Sequence, residues 1–353
     1  MEGGSPMDLE TLYGQVQDAI SSLDFNSIWP GFQPLKFALY DDSKCFFDGS
    51  YIEKTDAFCA NTSIVYEGEQ IAIWMVQQDL KISVLASKLV HEMFHGYQNI
   101  LGLMDGGPNE LEALYRYEYK AENLSLKLRE NELLLALLDR FDDSLFAELL
   151  SHRKRRSVRF PYEFSYESKT EEVEGTANFV EWQVLKQLDK DKADALTANM
   201  RKVMTSPGHL FPIRISSYYT GALMTNALLA AGRYSFEPSL RSVLLAALEH
   251  VSPSSGDFPK KAVLTGLTEK AVTEFYAETE RIIQAAVEKN EVVLHGPVEL
   301  KGLNVYDARC RNGFITSTYF LMYNDGTEDR LLSGNFVIQM QDEKTISLVY
   351  RRE

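Results

Sequence analysis

Two histidines and a glutamate lie within five residues in the stretch His91-Glu92-Met93-Phe94-His95, which has the pattern H-E-x-x-H. Residues four apart on an α-helix lie on one face, one turn apart, so both imidazoles can reach a single metal ion. Imidazole nitrogens bind Zn²⁺ at roughly 2.0–2.1 Å. Glu92 lies beside such a metal and can take a proton from a water bound there. The stretch therefore predicts a catalytic zinc site with His91 and His95 as ligands and Glu92 as the general base.

The residues around this motif are apolar on nearly all sides, which indicates a buried helix. We predict that it runs from about Ser83 to Leu101 and ends at Gly102. Two histidines and a glutamate in such a helix need partners, because an unpaired buried polar group is costly. A metal ion provides them. The alternative is a helix whose histidines are only solvated or packed in the core.

A third protein ligand is expected outside this helix, because catalytic zinc usually has three and keeps one position for water. The pattern H-E-x-x-H-x-x-G-x-x-H does not fit, since Gln98 stands at its glycine and Leu101 at its third histidine. A second polar stretch, residues 171–181, reads E-E-V-E-G-T-A-N-F-V-E within a helix predicted from Tyr162 to Leu188. A glutamate of this later helix is the remaining candidate.

The two stretches together resemble the gluzincin superfamily of zinc metallopeptidases, and most closely its peptidase MA-like group. The resemblance rests on H-E-x-x-H-x-x-Q at residues 91–98 and E-G-x-A at residues 174–177, and it covers about residues 70–229. It implies a zincin-like helical domain in which Glu174 is the third zinc ligand.

Many gluzincins carry an aspartate four residues after the ligand, where it hydrogen-bonds a ligand histidine. This chain has Asn178 at that position, which would still orient the imidazole. Counting from Glu171 instead would put Gly175 there, and this favours Glu174 as the ligand. Gly175 also lets two helices approach closely, and Glu171 is a candidate supporting residue one turn before Glu174. A solvated acidic face, which we adopt for Glu172, is the alternative for the other carboxylates of this stretch: Glu171 and Glu181.

Several gluzincins have Tyr-x-x-Gly at the start of a helix after the third ligand, and Tyr218 with Gly221 is similar. The resemblance implies that the Tyr218 phenol hydrogen-bonds the oxyanion, and a tyrosine packed at a helix start is the alternative. His209 is a second candidate for the same role. Tyr219 points about 100° away from Tyr218 on a helix, so we expect only one of the two to face the metal.

The chain of 353 residues is 45% hydrophobic and 25% charged, which is typical of a globular protein with two or three domains. We predict an α+β fold with an N-terminal α+β region (1–75), a mainly helical zincin-like catalytic domain (76–288) and a small antiparallel β domain (289–353). Strands Ser63–Tyr66 and Gln70–Trp74 are predicted to form a hairpin just before the metal helix. Its exposed edge can pair with an extended peptide, although an ordinary structural sheet is equally consistent with the pattern.

Charge and hydropathy limit the partners. The net charge of −15 argues against nucleic acid, and no apolar run is long enough for a transmembrane helix. No basic stretch followed by an apolar one is seen at residues 1–7, so a cytoplasmic location is the default expectation, with secretion left open. The basic run 152–156 is predicted to be a solvated helix end, with an anion site as its alternative.

The sequence therefore predicts a zinc metallopeptidase that hydrolyses a peptide or protein substrate. Glu92 activates the attacking water and returns the proton to the leaving amine. One alternative is a catalytically weak or inactive zincin-fold protein that acts as a metal-stabilised peptide- or protein-binding module. Another is a helical scaffold that needs no metal.

Overall fold

The computed structural model describes residues 8–76, 80–237, 239–255 and 257–352. Its α-helices, in chain order, are α1 (Leu9–Ser21), α2 (Phe25–Ile28), α3 (Ile82–Ile100), α4 (Glu110–Arg116), α5 (Ala121–Asp139), α6 (Asp143–Arg159), α7 (Pro161–Thr170), α8 (Thr176–Leu188), α9 (Lys190–Met204), α10 (Ile213–Ala230), α11 (Leu240–Glu249) and α12 (Lys261–Lys289). A π-helical turn (Glu171–Gly175) joins α7 to α8, and a 3₁₀ turn (Pro207–Leu210) precedes α10.

The strands fall into two groups, one before and one after the helices. They are β1 (Phe37–Tyr40), β2 (Cys45–Phe47), β3 (Ser50–Ile52), β4 (Thr62–Tyr66), β5 (Glu69–Met75), β6 (Val292–Leu303), β7 (Arg309–Arg311), β8 (Phe314–Ser317), β9 (Phe320–Asn324), β10 (Asp329–Ser333), β11 (Phe336–Met340) and β12 (Thr345–Arg351). The predicted mixed α+β class, with an N-terminal sheet and a C-terminal antiparallel sheet, is confirmed. Among the described residues, no helix is both long and apolar enough to cross a membrane.

The N-terminal sheet, within the described residues, has the strand order β3-β2-β1-β5-β4. Strands β1 and β5 are parallel, and β4 pairs antiparallel with β5 as the predicted hairpin. Glu67 and Gly68 both have positive φ, as the tight turn of such a hairpin requires. Strand β4 is the last strand in this order, and Thr62 at its start lines the cleft described below.

Helix α3 lies between this sheet and helix α8, and it shares one apolar core with both. A Cβ atom on Gly96 would lie only 2.4 Å from Leu35 Cδ1 and 2.9 Å from Gln70 Cγ, so the helix backbone rests directly on the sheet. Leu89 and Phe94 are fully buried on the helix. Burying such a side chain contributes roughly 1.5–3 kcal/mol, which fixes the orientation of the polar residues on the same helix.

The helix predicted from Tyr162 to Leu188 is present, but a π-helical turn at Glu171–Gly175 interrupts it. Helix α10 crosses at this turn with its backbone in contact, because a Cβ atom on Gly175 would lie 2.4 Å from Gly221 Cα. Gly175 thus permits a close approach, as expected, and α10 is the helix that approaches.

The C-terminal strands, among the residues described, form a sheet of order β10-β9-β6-β12-β11-β8-β7 with antiparallel neighbours. Helix α12 ends at Lys289, and Asn290 turns the chain with a left-handed conformation. The apolar stretch from Phe314 to Tyr323 predicts a single strand from the sequence, but the structure divides it into β8 and β9. Tyr319 has φ of 66° there, which is incompatible with a continuous strand.

The basic run 152–156 is not a solvated helix end, so that prediction was wrong. Arg153 and Arg156 are 1% and 0% exposed, and they pair with glutamates of neighbouring helices. Three cations and three carboxylates alternate in a closed loop of ion pairs, each with two partners of opposite charge. We call this set the buried charge ring: Lys127, Glu167, Arg156, Glu130, Arg153 and Glu171.

Candidate metal centre

Three polar atoms from α3 and the π-helical turn converge on one point. The Nε2 atoms of His91 and His95 are 3.1 Å apart, and Glu174 Oε2 lies 3.4 Å from His95 Nε2 and 3.9 Å from His91 Nε2. Two ligands on a tetrahedral zinc ion with bonds of about 2.05 Å would lie about 3.3 Å apart. The donor set, two imidazoles and one carboxylate, is also the one that zinc enzymes use. These residues therefore fit a zinc ion.

The second nitrogen of each histidine has its own oxygen partner. His95 Nδ1 lies 2.8 Å from Gln98 Oε1, and Gln98 Nε2 donates to Val173 O at 2.9 Å. His91 Nδ1 lies 3.2 Å from Glu181 Oε2. The contact at His95 has hydrogen-bond geometry and that at His91 is a close ion-pair contact, and both favour the ring orientation in which Nε2 faces Glu174.

The contacts of Gln98 with His95 and of Glu181 with His91 were not predicted from the sequence. Glu181 follows Glu174 by seven residues, two helical turns on the same face, and that spacing is a signal that could have identified it. Asn178, the residue expected to orient a histidine, lines the cleft, but Glu181 makes the contact to His91. Glu181 also pairs with Lys88 at 2.7 Å, and it is buried rather than solvated.

Arg214 of α10 holds the third candidate ligand. Its Nη2 donates to Glu174 Oε1 at 2.7 Å, which leaves Oε2 facing the histidines. Burial raises the pKa of Glu174, but His95 and then Arg214 outweigh it and hold the pKa well below its usual range. The same arginine pairs with Glu110, and its guanidinium lies 5.4 Å from the centre of the Tyr218 ring.

Glu92 and Tyr218 line the same cleft as the three candidate ligands. Burial is the largest cause of the raised pKa of Glu92, which the two histidines partly oppose. A carboxylate with a raised pKa is a better proton acceptor, as a general base requires. Burial and then Glu174 raise the pKa of Tyr218, so its phenol keeps its proton and can donate a hydrogen bond.

The charges around the cleft do not balance. Three carboxylates and two cations line it, and a fourth carboxylate, Glu110, lines the neighbouring pocket and pairs with Arg214. Together they leave two negative charges in excess when both histidines are neutral. In the same environment burial lowers the pKa of His95, but Glu174 and other groups outweigh burial and raise it to about 9. A divalent cation would supply the missing charge. We call this set the cleft cluster: Lys88, Glu92, Glu110, Glu174, Glu181 and Arg214.

The cleft has a volume of about 440 Å³. Its lining includes residues of the N-terminal sheet, of helix α10 and of the segment between β6 and β7. Thr62 at the start of β4 and Trp74 of β5 form one side. Tyr219 also lines the cleft, and its hydroxyl accepts from Asn199 Nδ2 at 3.4 Å, so the expectation that only one of Tyr218 and Tyr219 faces the metal stays a prediction. Tyr306, from the segment between β6 and β7, also lines the cleft and is 52% exposed.

Two predicted residues are not part of this site. His209 is exposed on the 3₁₀ turn and does not line the cleft. Glu171 turns away from the histidines, and its carboxylate accepts from Arg153 Nη2 at 2.5 Å and from Thr220 Oγ1 at 2.8 Å. The wider π-helical turn is the reason, since it separates Glu171 from Glu174 around the axis more than an α-helix would.

Searches with the sequence against protein-family models and curated proteins, and with the structure against solved structures, found no match.

Proposed function

We propose that this protein is a zinc metallopeptidase of the gluzincin type that hydrolyses peptide bonds. The observation that carries the proposal is the convergence of His91 Nε2, His95 Nε2 and Glu174 Oε2 at distances that suit one tetrahedral ion, with Glu92 beside them. The excess of two negative charges in the cleft cluster supports a divalent ion.

Zinc held by His91, His95 and Glu174 would polarise the scissile carbonyl and lower the pKa of a water in the cleft. Glu92 accepts the proton of the attacking water and passes it to the leaving amine. The phenol of Tyr218 donates a hydrogen bond to the carbonyl oxygen as negative charge develops on it. Arg214 fixes the carboxylate of Glu174 and lies against the Tyr218 ring, so it positions both groups.

Strand β4 is suited to hold the substrate. It pairs with β5 on one side only and ends the sheet, and Asn61 and Thr62 at its start line the cleft. An extended peptide would add to this edge through main-chain hydrogen bonds. Its scissile carbonyl would then pass between Trp74 and the residues of α3.

Metal content and turnover test the proposal together. We expect one zinc per chain by elemental analysis, cleavage of members of a mixed peptide library, and loss of cleavage with a chelator that zinc restores. His91→Ala and His95→Ala should each lose the metal and the cleavage, whereas His209→Ala, on the surface outside the cleft, should keep both. Full zinc in the His91 and His95 variants would reject the site.

The library result also separates peptidase from binding module. Zinc at one per chain with bound but uncleaved peptides would favour the metal-stabilised binding module. Absence of zinc from protein grown with the metal would favour the scaffold. A profile of cleavage sites would define which side chains the cleft accepts.

A further inference from the structure

A tyrosine of the C-terminal sheet lies at the metal cleft. Tyr306 belongs to the short segment between β6 and β7, and it lines the cleft together with residues of α3, α9 and α10. Tyr306 is 52% exposed, so a bound molecule can contact its ring. Single exposed apolar side chains are ordinary on protein surfaces. This one differs because it borders the cavity in which the candidate metal ligands converge.

The segment that carries Tyr306 is held near both of its ends by one hydroxyl group. Asn304 Nδ2 donates to Thr318 Oγ1 at 2.9 Å, and Thr318 Oγ1 donates to Asp307 Oδ1 at 2.7 Å. The backbone N–H of Tyr306 donates to Asn304 Oδ1 at 3.2 Å, and Ala308 at the end of the segment is buried. A side chain on a segment held in this way loses little freedom when a ligand binds, so it is suited to select among ligands.

Helices α9 and α10 supply an apolar wall next to this tyrosine. Leu196 and Tyr219 line the same cleft, and both are half-buried. Asn199 Nδ2 donates to the Tyr219 hydroxyl at 3.4 Å, and Leu196 lies three residues before Asn199 on the same face of α9, so Leu196 is close to Tyr219. Burial and then Tyr306 raise the pKa of Tyr219, which is consistent with two neighbouring phenols. The three apolar side chains therefore lie in one part of the cleft.

We propose that the C-terminal sheet takes part in substrate recognition, with Tyr306, Tyr219 and Leu196 forming a subsite for one large apolar side chain of a peptide. The proposal rests on the function proposed above, because it takes the cleft as the place where a peptide binds. Two aromatic rings and a branched aliphatic side chain are partly exposed there. A bulky apolar side chain that covers them removes apolar surface of both partners from water. Aromatic residues at such positions often carry much of the binding free energy.

Charged and small side chains fit this subsite less well. Lys88 and Glu181 line the same cleft, but they pair with each other at 2.7 Å, so each already has an opposite charge. A charged side chain placed against the apolar wall would lose water without gaining a partner, which is costly. Glycine and alanine offer little apolar surface to cover the rings. We therefore expect leucine, methionine, phenylalanine, tyrosine and tryptophan to be preferred at one position of the bound peptide.

Selection of peptides from a mixed library tests the subsite. The full chain carrying Glu92→Gln is loaded with zinc and incubated with the library, because this change prevents cleavage of the bound peptides, and the retained peptides are sequenced by mass spectrometry. We expect bulky apolar residues to be enriched at one position. Adding Tyr306→Ala should lower this enrichment by about tenfold or more, as for a lost contact in an apolar pocket. Tyr306→Phe keeps the ring and should keep most of the enrichment.

Two further variants locate the effect. Leu196→Ala removes the aliphatic part of the wall and should also lower the enrichment. Leu331→Ala is the matched control, because Leu331 lies on β10 of the same sheet, is 56% exposed and does not line the cleft. It should leave the enrichment unchanged. Circular dichroism verifies that each variant is folded, as we expect for Tyr306→Ala because Tyr306 is largely exposed.

Cleavage of the same library by the parent protein separates this proposal from the proposed function. Enrichment that depends on Tyr306, in a chain that binds peptides but cleaves none, would reject the peptidase and support the subsite. Cleavage of peptides with no preference for bulky apolar residues would support the peptidase and overturn the subsite. Equal enrichment in folded Tyr306→Ala, an equal loss in Leu331→Ala, or retention of no peptide would each overturn the subsite as well.

Discussion

The buried charge ring and the cleft cluster both take glutamates from the run of helix that joins α7 to α8, and they differ in how their charges balance. In the charge ring three cations alternate with three carboxylates, and every member is almost fully buried. In the cleft cluster four carboxylates meet two cations beside two histidines, and every member except Glu110 lines the cleft. Glu171 and Glu174, three residues apart, belong to opposite sets.

This difference separates a structural polar group from a functional one. In a closed set of ion pairs, each carboxylate already has cations that compensate its desolvation. Such a set requires no bound metal ion. A set with excess negative charge beside two imidazoles favours a cation, either a proton on His95 or a metal ion. Burial alone does not distinguish them, since the side chains of Glu171 and Glu174 are both largely buried. The balance of cations and carboxylates within each group distinguishes them.

The largest effects are expected when Glu171 and Glu174 are replaced by alanine, one at a time. Glu171→Ala leaves Arg153 and Lys127 with one uncompensated positive charge, and breaking a buried pair in this way costs about 3–5 kcal/mol of unfolding free energy. It should keep its zinc while folded. Glu174→Ala should lose zinc with a smaller change in stability, since Arg214 keeps Glu110 as partner. Denaturant unfolding and elemental analysis measure both.

Glu172→Ala is the matched control for this pair, because it lies on the same turn but in neither set. It should keep zinc and cost less stability than Glu171→Ala. Loss of zinc from Glu171→Ala together with its retention in Glu174→Ala would reverse the assignment of the two groups.

The next effect concerns Tyr218, which belongs to the cleft. Tyr218→Phe removes only the hydroxyl, so zinc content and fold should be kept. Loss of one donor to a developing oxyanion lowers the rate by about a hundred- to a thousand-fold, or roughly 3–4 kcal/mol. Tyr219→Phe should have a small effect, because its hydroxyl lies near Asn199. Steady-state kinetics on one cleaved peptide gives the comparison. If His209→Ala is slow while Tyr218→Phe runs at the parent rate, the donor is His209 and the geometry argued here is wrong.

A smaller effect is expected at the oxygen that orients His91. Glu181→Gln should weaken zinc binding by about 10- to 100-fold, the range usual for partners of metal-ligating histidines. Because Glu181 also pairs with Lys88, Lys88→Met serves as the control for loss of the ion pair alone. Competition with a chromophoric chelator measures both affinities. Equal losses in the two variants would assign the effect to the ion pair instead of the imidazole contact.

The two sets should also differ in the sign of their pH dependence. Charge-ring cations outweigh burial and lower the pKa of Glu171 to about 2, so its stabilising contribution is present above its unfolded pKa and is lost as pH falls toward 2. The pKa of His95 is raised to about 9, so in metal-free protein its contribution is present below its unfolded pKa and is lost as pH rises through 9.

Stability measured from pH 2 to pH 10 checks both signs. Glu171→Gln should flatten the acid limb and leave the alkaline limb unchanged. Zinc should abolish the alkaline loss, because a metal ligand carries no proton to release. An alkaline limb that persists unchanged with zinc bound would separate His95 from the metal.

The sequence predicted the parts of this molecule that depend on local spacing. The i, i+4 histidines, the bounds of helix α3 and the hairpin of β4 and β5 are all properties of short stretches, in which periodicity and turn residues decide the structure. Glu174 was predicted as the third ligand from the resemblance to gluzincins and not from spacing within a short stretch. Its proximity to the histidines, 3.4 and 3.9 Å, required the structure.

The errors have a common physical cause. Arg153 and Arg156 form a basic run that looks solvated, and only the neighbouring helices supply the carboxylates that allow burial. Glu171 was predicted to support the metal ligands, but the π-helical turn orients its side chain away from the histidines. The contact between Arg214 and Glu174 joins helices whose crossing is set by Gly175 and Gly221. None of these features is encoded in a local pattern.

The role of Glu92 as the general base beside a zinc ion is tested most directly by zinc content and peptide turnover. Both are measured on the same samples of the parent protein and of Glu92→Gln. Glutamine is close in size to glutamate but cannot accept the proton. We expect one zinc per chain in both proteins, with turnover in Glu92→Gln lowered by about 10²- to 10⁴-fold, the range for a lost general acid–base group. Turnover in Glu92→Gln near the parent rate, with its zinc in place, would contradict this role of Glu92.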